Sequence, residues 1–216
     1  MYDDSIFLDF QARYKANHLA DSENFIIKDG IIDPELYSRQ KPKILFIAKE
    51  HNFINRDEHP NGYEGDYRHW WKNYLNYTFS HRISEWSFGV ANDFDTAYEQ
   101  MSREQKMNAL RSIAFINVKK TGGGSYSNPD TILSYIKASR DLLQQQIIDI
   151  DPDLVICCFR HDCYVERLLE VSMKRVSSNH YSLGTWQSKR IINFYHPSSR
   201  KGKKFLFDQI REAVRT

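Results

Sequence analysis

The sequence predicts an α/β fold, a three-layer α/β/α domain around a central four-stranded, mainly parallel sheet. Two observations predict it. Four short apolar runs, residues 44–48, 113–118, 154–158 and 191–195, each stop abruptly at polar residues, as strands buried on both faces do. Between them lie stretches with apolar residues at helical spacing, such as Ile132, Leu133, Ile136, Leu142, Leu143 and Ile147 within residues 130–148. Parallel strands joined in this way require right-handed crossovers. A chain of 216 residues is long enough for one domain with a real core, so 1–216 reads as a single domain. Residues 1–40 stand as an N-terminal extension, and 53–107 as a long insertion between the first two core strands.

The remaining elements follow in order. Ile6, Phe7, Phe10 and Tyr14 mark a first helix over residues 6–17. Asp29-Gly30 between apolar residues suggests a small hairpin over 24–32. Pro34 and Pro42 bracket a loop or short helix. Within the insertion, residues 68–77 are aromatic-rich and read as helical, and Ser102-Arg-Glu-Gln105 has the form of a capping box opening another helix. Residues 121–129 form a glycine loop. Helices are expected over 162–171 and 205–214, with a hairpin-like approach to the last core strand over 181–189.

Composition narrows the function classes. A net charge of +2 excludes a globally basic nucleic-acid binder, although Lys189, Arg190, Arg200, Lys201, Lys203 and Lys204 cluster near the C-terminus. The plainer reading of that cluster is a solvated tail helix. Three cysteines, Cys157, Cys158 and Cys163, argue against a disulfide framework or a four-cysteine cluster and fit a reduced, cytoplasmic setting. No apolar run reaches the length of a membrane span. His51, His59, His69, His81 and Glu50 form no convincing ligand motif, so no metal or other cofactor is expected.

In open α/β sheets, ligands bind outside the carboxyl ends of the strands. Lys49, Glu50, His51 and Asn52 follow the first strand, Asn117 closes the second, Phe159-Arg160-His161 follow the third, and His196-Pro197-Ser198-Ser199-Arg200 follow the fourth. Four polar strand ends suggest one composite site.

With those ends in order, the chain resembles the uracil-DNA glycosylase superfamily. The first family motif, a strand followed by a turn written G-Q-D-P-Y-H or G-E-A-P-G, corresponds to Ala48-Lys49-Glu50-His51-Asn52. The second, an Asn followed by V-V-K, corresponds to Asn117-Val118-Lys119-Lys120. The approach to the third strand matches residues 147–156, and the last motif, H-P-S, is His196-Pro197-Ser198. The match spans residues 41–215. Ala48 stands where the family has glycine and His51 where it has proline, and the iron–sulfur cysteines of one branch are absent.

The resemblance implies a DNA glycosylase that flips an altered base out of DNA, in repair or in defence, and hydrolyses its N-glycosidic bond. Glu50 would orient or deprotonate the water, and His196 would donate to the leaving base. Asn117, Phe53, His51 and Asn52 would contact the base, and Trp70 or Trp71 would roof the pocket. Lys49, Lys119, Lys120, Ser198, Ser199 and Arg200 would hold DNA phosphates. Each residue also has a plainer reading. Glu50 would be an exposed turn carboxylate paired with Lys49 or Lys119. His196 and Asn117 would cap their strands, and Lys119 and Lys120 would lie on a surface loop beside Gly122–Gly123 and Gly124. The alternatives at the level of function are a non-catalytic module binding nucleic acid, nucleotide or protein on the same fold, and a hydrolase of free nucleosides or nucleotides.

Overall fold

A computed structural model describes residues 4–52, 65–73, 75–124, 126–176 and 180–216. The first half of the chain contains α1 (Ile6–Ala16), β1 (Gly30–Ile31), α2 (Pro34–Arg39), β2 (Ile44–Ala48), β3 (His51–Asn52), α3 (Tyr67–Asn73), α4 (Thr78–Ala91) and α5 (Arg103–Arg111). The second half adds β4 (Ala114–Asn117), β5 (Gly122–Gly123), α6 (Pro129–Ile150), β6 (Leu154–Cys157), α7 (Asp162–Leu169), β7 (Lys174–Arg175), β8 (Ser182–Trp186), β9 (Lys189–Asn193) and α8 (Lys203–Arg215).

The four apolar runs are the parallel centre of the sheet, in the order β4-β2-β6-β9. Strand geometry sends alternate side chains to opposite faces, and β2 illustrates the result. Leu45 and Ile47 join the apolar layer built with α1, α6 and α7. Ile44, Phe46 and Ala48 join the layer built with α3, α4, α5 and α8. The sheet is thus covered by helices on both sides, which is why its central strands carry no polar alternation.

The sheet has seven strands, not the four expected. Beyond the parallel centre, β1 adds antiparallel to β4 at one edge, and β8 and β7 add antiparallel beyond β9 at the other. Gln187 and Ser188 link β8 to β9 with positive φ at both positions, 47° and 64°, the backbone of a tight two-residue hairpin. The hairpin expected over 24–32 does not form. Gly30, at φ 135°, instead pairs with Phe115, because Asp29 turns inward to a buried lysine described below.

The insertion contains α4, fourteen residues long, a helix that the apolar pattern of the sequence does not announce. Its buried set includes Ser80, Arg82, Ser84, Glu85 and Ser87 beside Ile83, Trp86 and Val90. Helical periodicity of apolar residues is lost when a helix is enclosed on most sides and its polar residues are paired internally. Ser84 and Ser87 donate to His81 O and Ile83 O at 2.7 and 2.6 Å, and Lys106 and Lys203 reach Glu85 at 2.6 and 2.7 Å. The expected capping box of α5 is present: Gln105 N donates to Ser102 Oγ at 3.1 Å and Ser102 N to Gln105 Oε1 at 2.8 Å. Among the described residues, no helix is long and apolar enough to cross a membrane.

Candidate functional site

The parallel register brings the strand ends to one edge. Ala48 lies opposite Asn117, Ile47 opposite Cys157, and Cys157 opposite Asn193. Glu50, Asn117 and His196 therefore leave the sheet on the same side. Beyond that edge, β3 pairs with β5, His51 opposite Gly122 and Asn52 opposite Gly123. This ties the first turn to the glycine run. A β-carbon at Gly123 would collide with the Glu50 carboxylate, so a larger residue there would displace that side chain.

Glu50 is not an exposed carboxylate, since its side chain is only 6% accessible. Its Oε2 accepts from Lys119 Nζ at 2.9 Å. The same ammonium donates to Asp21 Oδ2 and Gly122 O, each at 2.9 Å. Burial alone would lower the Lys119 pKa, but the bonds to Asp21 and Glu50 outweigh it and hold the group above its usual value. Lys119 thus uses its donors inside the protein, where they fix the Glu50 side chain, and does not face outward to a phosphate.

Lys120 is also inward. Its Nζ donates to Asp29 Oδ1 and Gln146 Oε1, both at 2.7 Å, in a fully buried cluster. Asp29 Oδ1 further accepts from Gln146 Nε2 at 2.9 Å, and Oδ2 accepts from the Asn117 backbone N–H at 2.8 Å. Burial opposes both charges of the pair. Lys120 and His51 nevertheless hold Asp29 below the usual carboxylate range, whereas at Lys120 burial outweighs Asp29 and draws the pKa down. The N-terminal segment completes this floor: Tyr14 of α1 accepts from Lys120 N at 3.1 Å through its hydroxyl. Residues 1–40, unmatched in the resemblance, therefore supply two carboxylates and a hydroxyl to the strand ends.

Asn117 and His51 sit over that floor, both buried. Asn117 Nδ2 lies 3.0 Å from His51 Nε2, and Asp29 Oδ2 lies 3.9 Å from the same nitrogen. Burial lowers the His51 pKa despite Asp29. His51 Nδ1 and Asn117 Oδ1 are buried without a partner among the described residues, which leaves each residue one polar atom to offer. Tyr67 meets the His51 ring edge-on at 4.3 Å and stacks on Trp70 at 5.0 Å, which stacks in turn on the exposed Tyr77. Trp71 belongs to the core. Asn52 is exposed, and Phe53 lies outside the described residues.

On the opposite flank, Ser198 N–H donates to His196 Nδ1 at 3.2 Å. A nitrogen that accepts carries no proton, so the neutral ring bears its hydrogen on Nε2. Burial first, and then the Lys49 ammonium, push the His196 pKa down to about 4. Lys49 is partly buried over the Tyr164 ring at 5.2 Å and has no carboxylate within ion-pair distance among the described residues. Ser198 and Arg200 are exposed, while the Ser199 hydroxyl is buried and unpartnered.

Five contributing residues were not anticipated: Asp21, Asp29, Tyr67, Phe79 and Arg82. Phe79 packs against both His196 and Phe115 at 5.4 and 5.6 Å. An inward charge such as Asp29 leaves one signal, an acidic residue between apolar neighbours in Ile26-Ile27-Lys28-Asp29-Gly30-Ile31. Two open depressions of the surface lie elsewhere, one along α8 from Asp208 to Thr216 and one beside β7 and β8. Among the described residues no group of three His, Cys, Asp or Glu side chains is disposed to hold a metal ion. No protein-family model matches the chain, and no curated protein matches it.

Two outcomes follow from these contacts. Lys120→Met strands the buried Asp29 charge and lowers stability by about 3–5 kcal/mol, as breaking a buried pair does. Adding Asp29→Leu to it costs less than the sum of the two single changes. Urea unfolding of the three variants checks this, and additive losses would show that the pair is not coupled. For His196, the folded pKa lies near 4 and the unfolded value near 6.5. The folded state then binds fewer protons between these limits. Its stability is full above the unfolded value and declines as pH falls toward 4. His196→Gln removes its share of that slope and leaves the part due to His51 and His81, which chemical denaturation at closely spaced pH values measures.

Proposed function

We propose that this protein is a DNA glycosylase, releasing an altered base from DNA by hydrolysis at a site between the ends of β2, β4 and β9. The observation that carries the reading is the pairing of a fixed carboxylate with a neutral imidazole donor. Glu50 is held by Lys119 at the end of β2, and His196 is held as the Nε2–H tautomer beyond β9. The two strands are separated by β6 alone, which places their ends about 10 Å apart at the usual strand spacing. That interval accommodates a sugar with its base. The four motifs at the strand ends support the same reading.

The chemistry divides between the flanks. Water attacks the anomeric carbon as the N-glycosidic bond breaks, and the bond electrons leave with the base. Glu50 Oε2 is occupied by Lys119, so Oε1 is the oxygen that faces the water and takes its proton. The carboxylate charge also stabilises the developing oxocarbenium ion. His196 Nε2–H donates to a carbonyl oxygen of the departing base, and Lys49 adds a positive charge to the anion formed there. A neutral donor suits this role: a pKa near 4 leaves the ring with one proton at neutral pH, and the Ser198 N–H on Nδ1 leaves that proton on Nε2. Asn117 and His51 each retain one free polar atom for the base edge. Aromatic residues Tyr67 and Phe79, rather than Trp71, flank the ring. Of the cations expected at phosphates, Arg200 is the exposed one, since Lys119 and Lys120 face inward and Lys49 serves the base.

The test is base release from oligonucleotides carrying uracil, hypoxanthine, xanthine and enlarged pyrimidines, read as alkali-labile abasic sites. Wild-type protein releases at least one of these bases. Glu50→Gln slows release by about 10²–10⁴-fold, the usual worth of a positioned acid or base, and leaves oligonucleotide binding within a small factor. No release across the panel with binding intact supports the second reading, a non-catalytic binding module. That reading draws on one observation, the Glu50 carboxylate engaged by Lys119 in an internal ion pair.

A further inference from the structure

We infer that Arg82, in the second turn of α4, is the positioning residue for the loop that carries His196, and that this bracing is a function of the long insertion. The insertion then acts on the imidazole through the backbone of that loop. Arg82 Nη1 donates to Pro197 O at 2.6 Å and to Ser199 O at 2.7 Å, and Nη2 donates to Lys201 O at 2.9 Å. Three alternate carbonyls are thereby drawn to one guanidinium, which is itself almost wholly enclosed, with the residue 9% exposed. A planar fork of N–H groups suits this arrangement, and a lysine ammonium does not reproduce it.

The consequence reaches the ring within two residues. With Pro197 O and Ser199 O turned inward, the intervening Ser198 N–H points back at His196 Nδ1, 3.2 Å away. Ser199 N donates to His196 O at 2.9 Å and closes the turn. The backbone of the loop selects the tautomer, and Arg82 holds that backbone. One helical turn further, Glu85 takes Lys203 Nζ at 2.7 Å, so α4 also anchors the chain where the loop enters α8. Phe79, at the start of the same helix, lies 5.4 Å from the His196 ring. The charged group facing that ring is Lys49, from the end of β2. α4 thus fixes the loop at both ends and presents one face of the imidazole to an aromatic ring.

The effect on catalysis rests on the glycosylase reading, but the effect on the imidazole does not. The experiment therefore reads both. Long-range proton–nitrogen NMR of the imidazole rings reports which nitrogen of His196 is protonated, and base release is followed on the same samples. Wild-type protein is expected to show a single neutral tautomer with the proton on Nε2. In Arg82→Lys and Arg82→Gln, Nδ1 and Nε2 are expected to share the proton. kcat is expected to fall by about 10²-fold, as for a misplacement of about 1 Å, with KM changed little.

A His196 signature identical to wild type in a folded Arg82 variant overturns the inference, whatever happens to the rate. A changed signature supports it even if no substrate in the panel is cleaved, in which case the glycosylase reading alone fails. Loss of fold in both variants also overturns it, since a residue that only positions this loop is not required by the rest of the domain. Thermal melts of both variants decide that point.

Discussion

A carboxylate enclosed beneath the ends of parallel strands must be neutralised, and in this protein much of the site is arranged around that constraint. Asp29 has Lys120 and Gln146 on one oxygen and the Asn117 backbone on the other. These bonds fix where β4 ends and how the chain leaves it. They also set the base on which His51 and Asn117 stand. The isolated cost of such burial is high, and satisfied hydrogen bonds are what make it tolerable. The N-terminal segment is bound into the domain for the same reason, since it brings Asp29 to the lysine and Tyr14 to its backbone.

The two lysines after Asn117 divide two tasks. Lys120 neutralises the floor, and Lys119 secures Glu50 with the help of Asp21 and the carbonyl of Gly122. Their inward orientation separates structural charges from Lys49, which keeps no carboxylate partner among the described residues and lies close enough to His196 to lower its pKa. A site with a fixed anion on one flank and a neutral donor beside a cation on the other is polarised across its width. Such polarity matches a bond that breaks to leave positive charge on a sugar and negative charge on a base.

The fold was legible where one physical rule governed a segment. Residues 44–48 had to be a strand buried on both faces, and Ser102 with Gln105 had to open a helix. The strand ends were legible as a group because parallel sheets expose them together. The misses have a common cause. Asp29, Glu85 and Arg82 are charges whose partners lie far along the chain, and pattern reading assigns charges to the surface. The same habit placed Lys119 and Lys120 on a loop facing solvent. α4 was passed over because its buried polar residues erase the apolar period, and β1 because two residues pairing with a distant strand carry no local signature.

The proposed role of Glu50 is to stabilise positive charge on a sugar held between it and His196. Its most direct test compares the affinities of two oligonucleotides that differ at one position. One carries an uncharged tetrahydrofuran abasic site, and the other a cationic pyrrolidine in its place. Transition-state mimics bind enzymes more tightly than neutral analogues by about 10²-fold or more. A preference of this kind for the pyrrolidine is expected in wild-type protein, and its loss in Glu50→Gln. Equal affinities for the two in wild-type protein would contradict it.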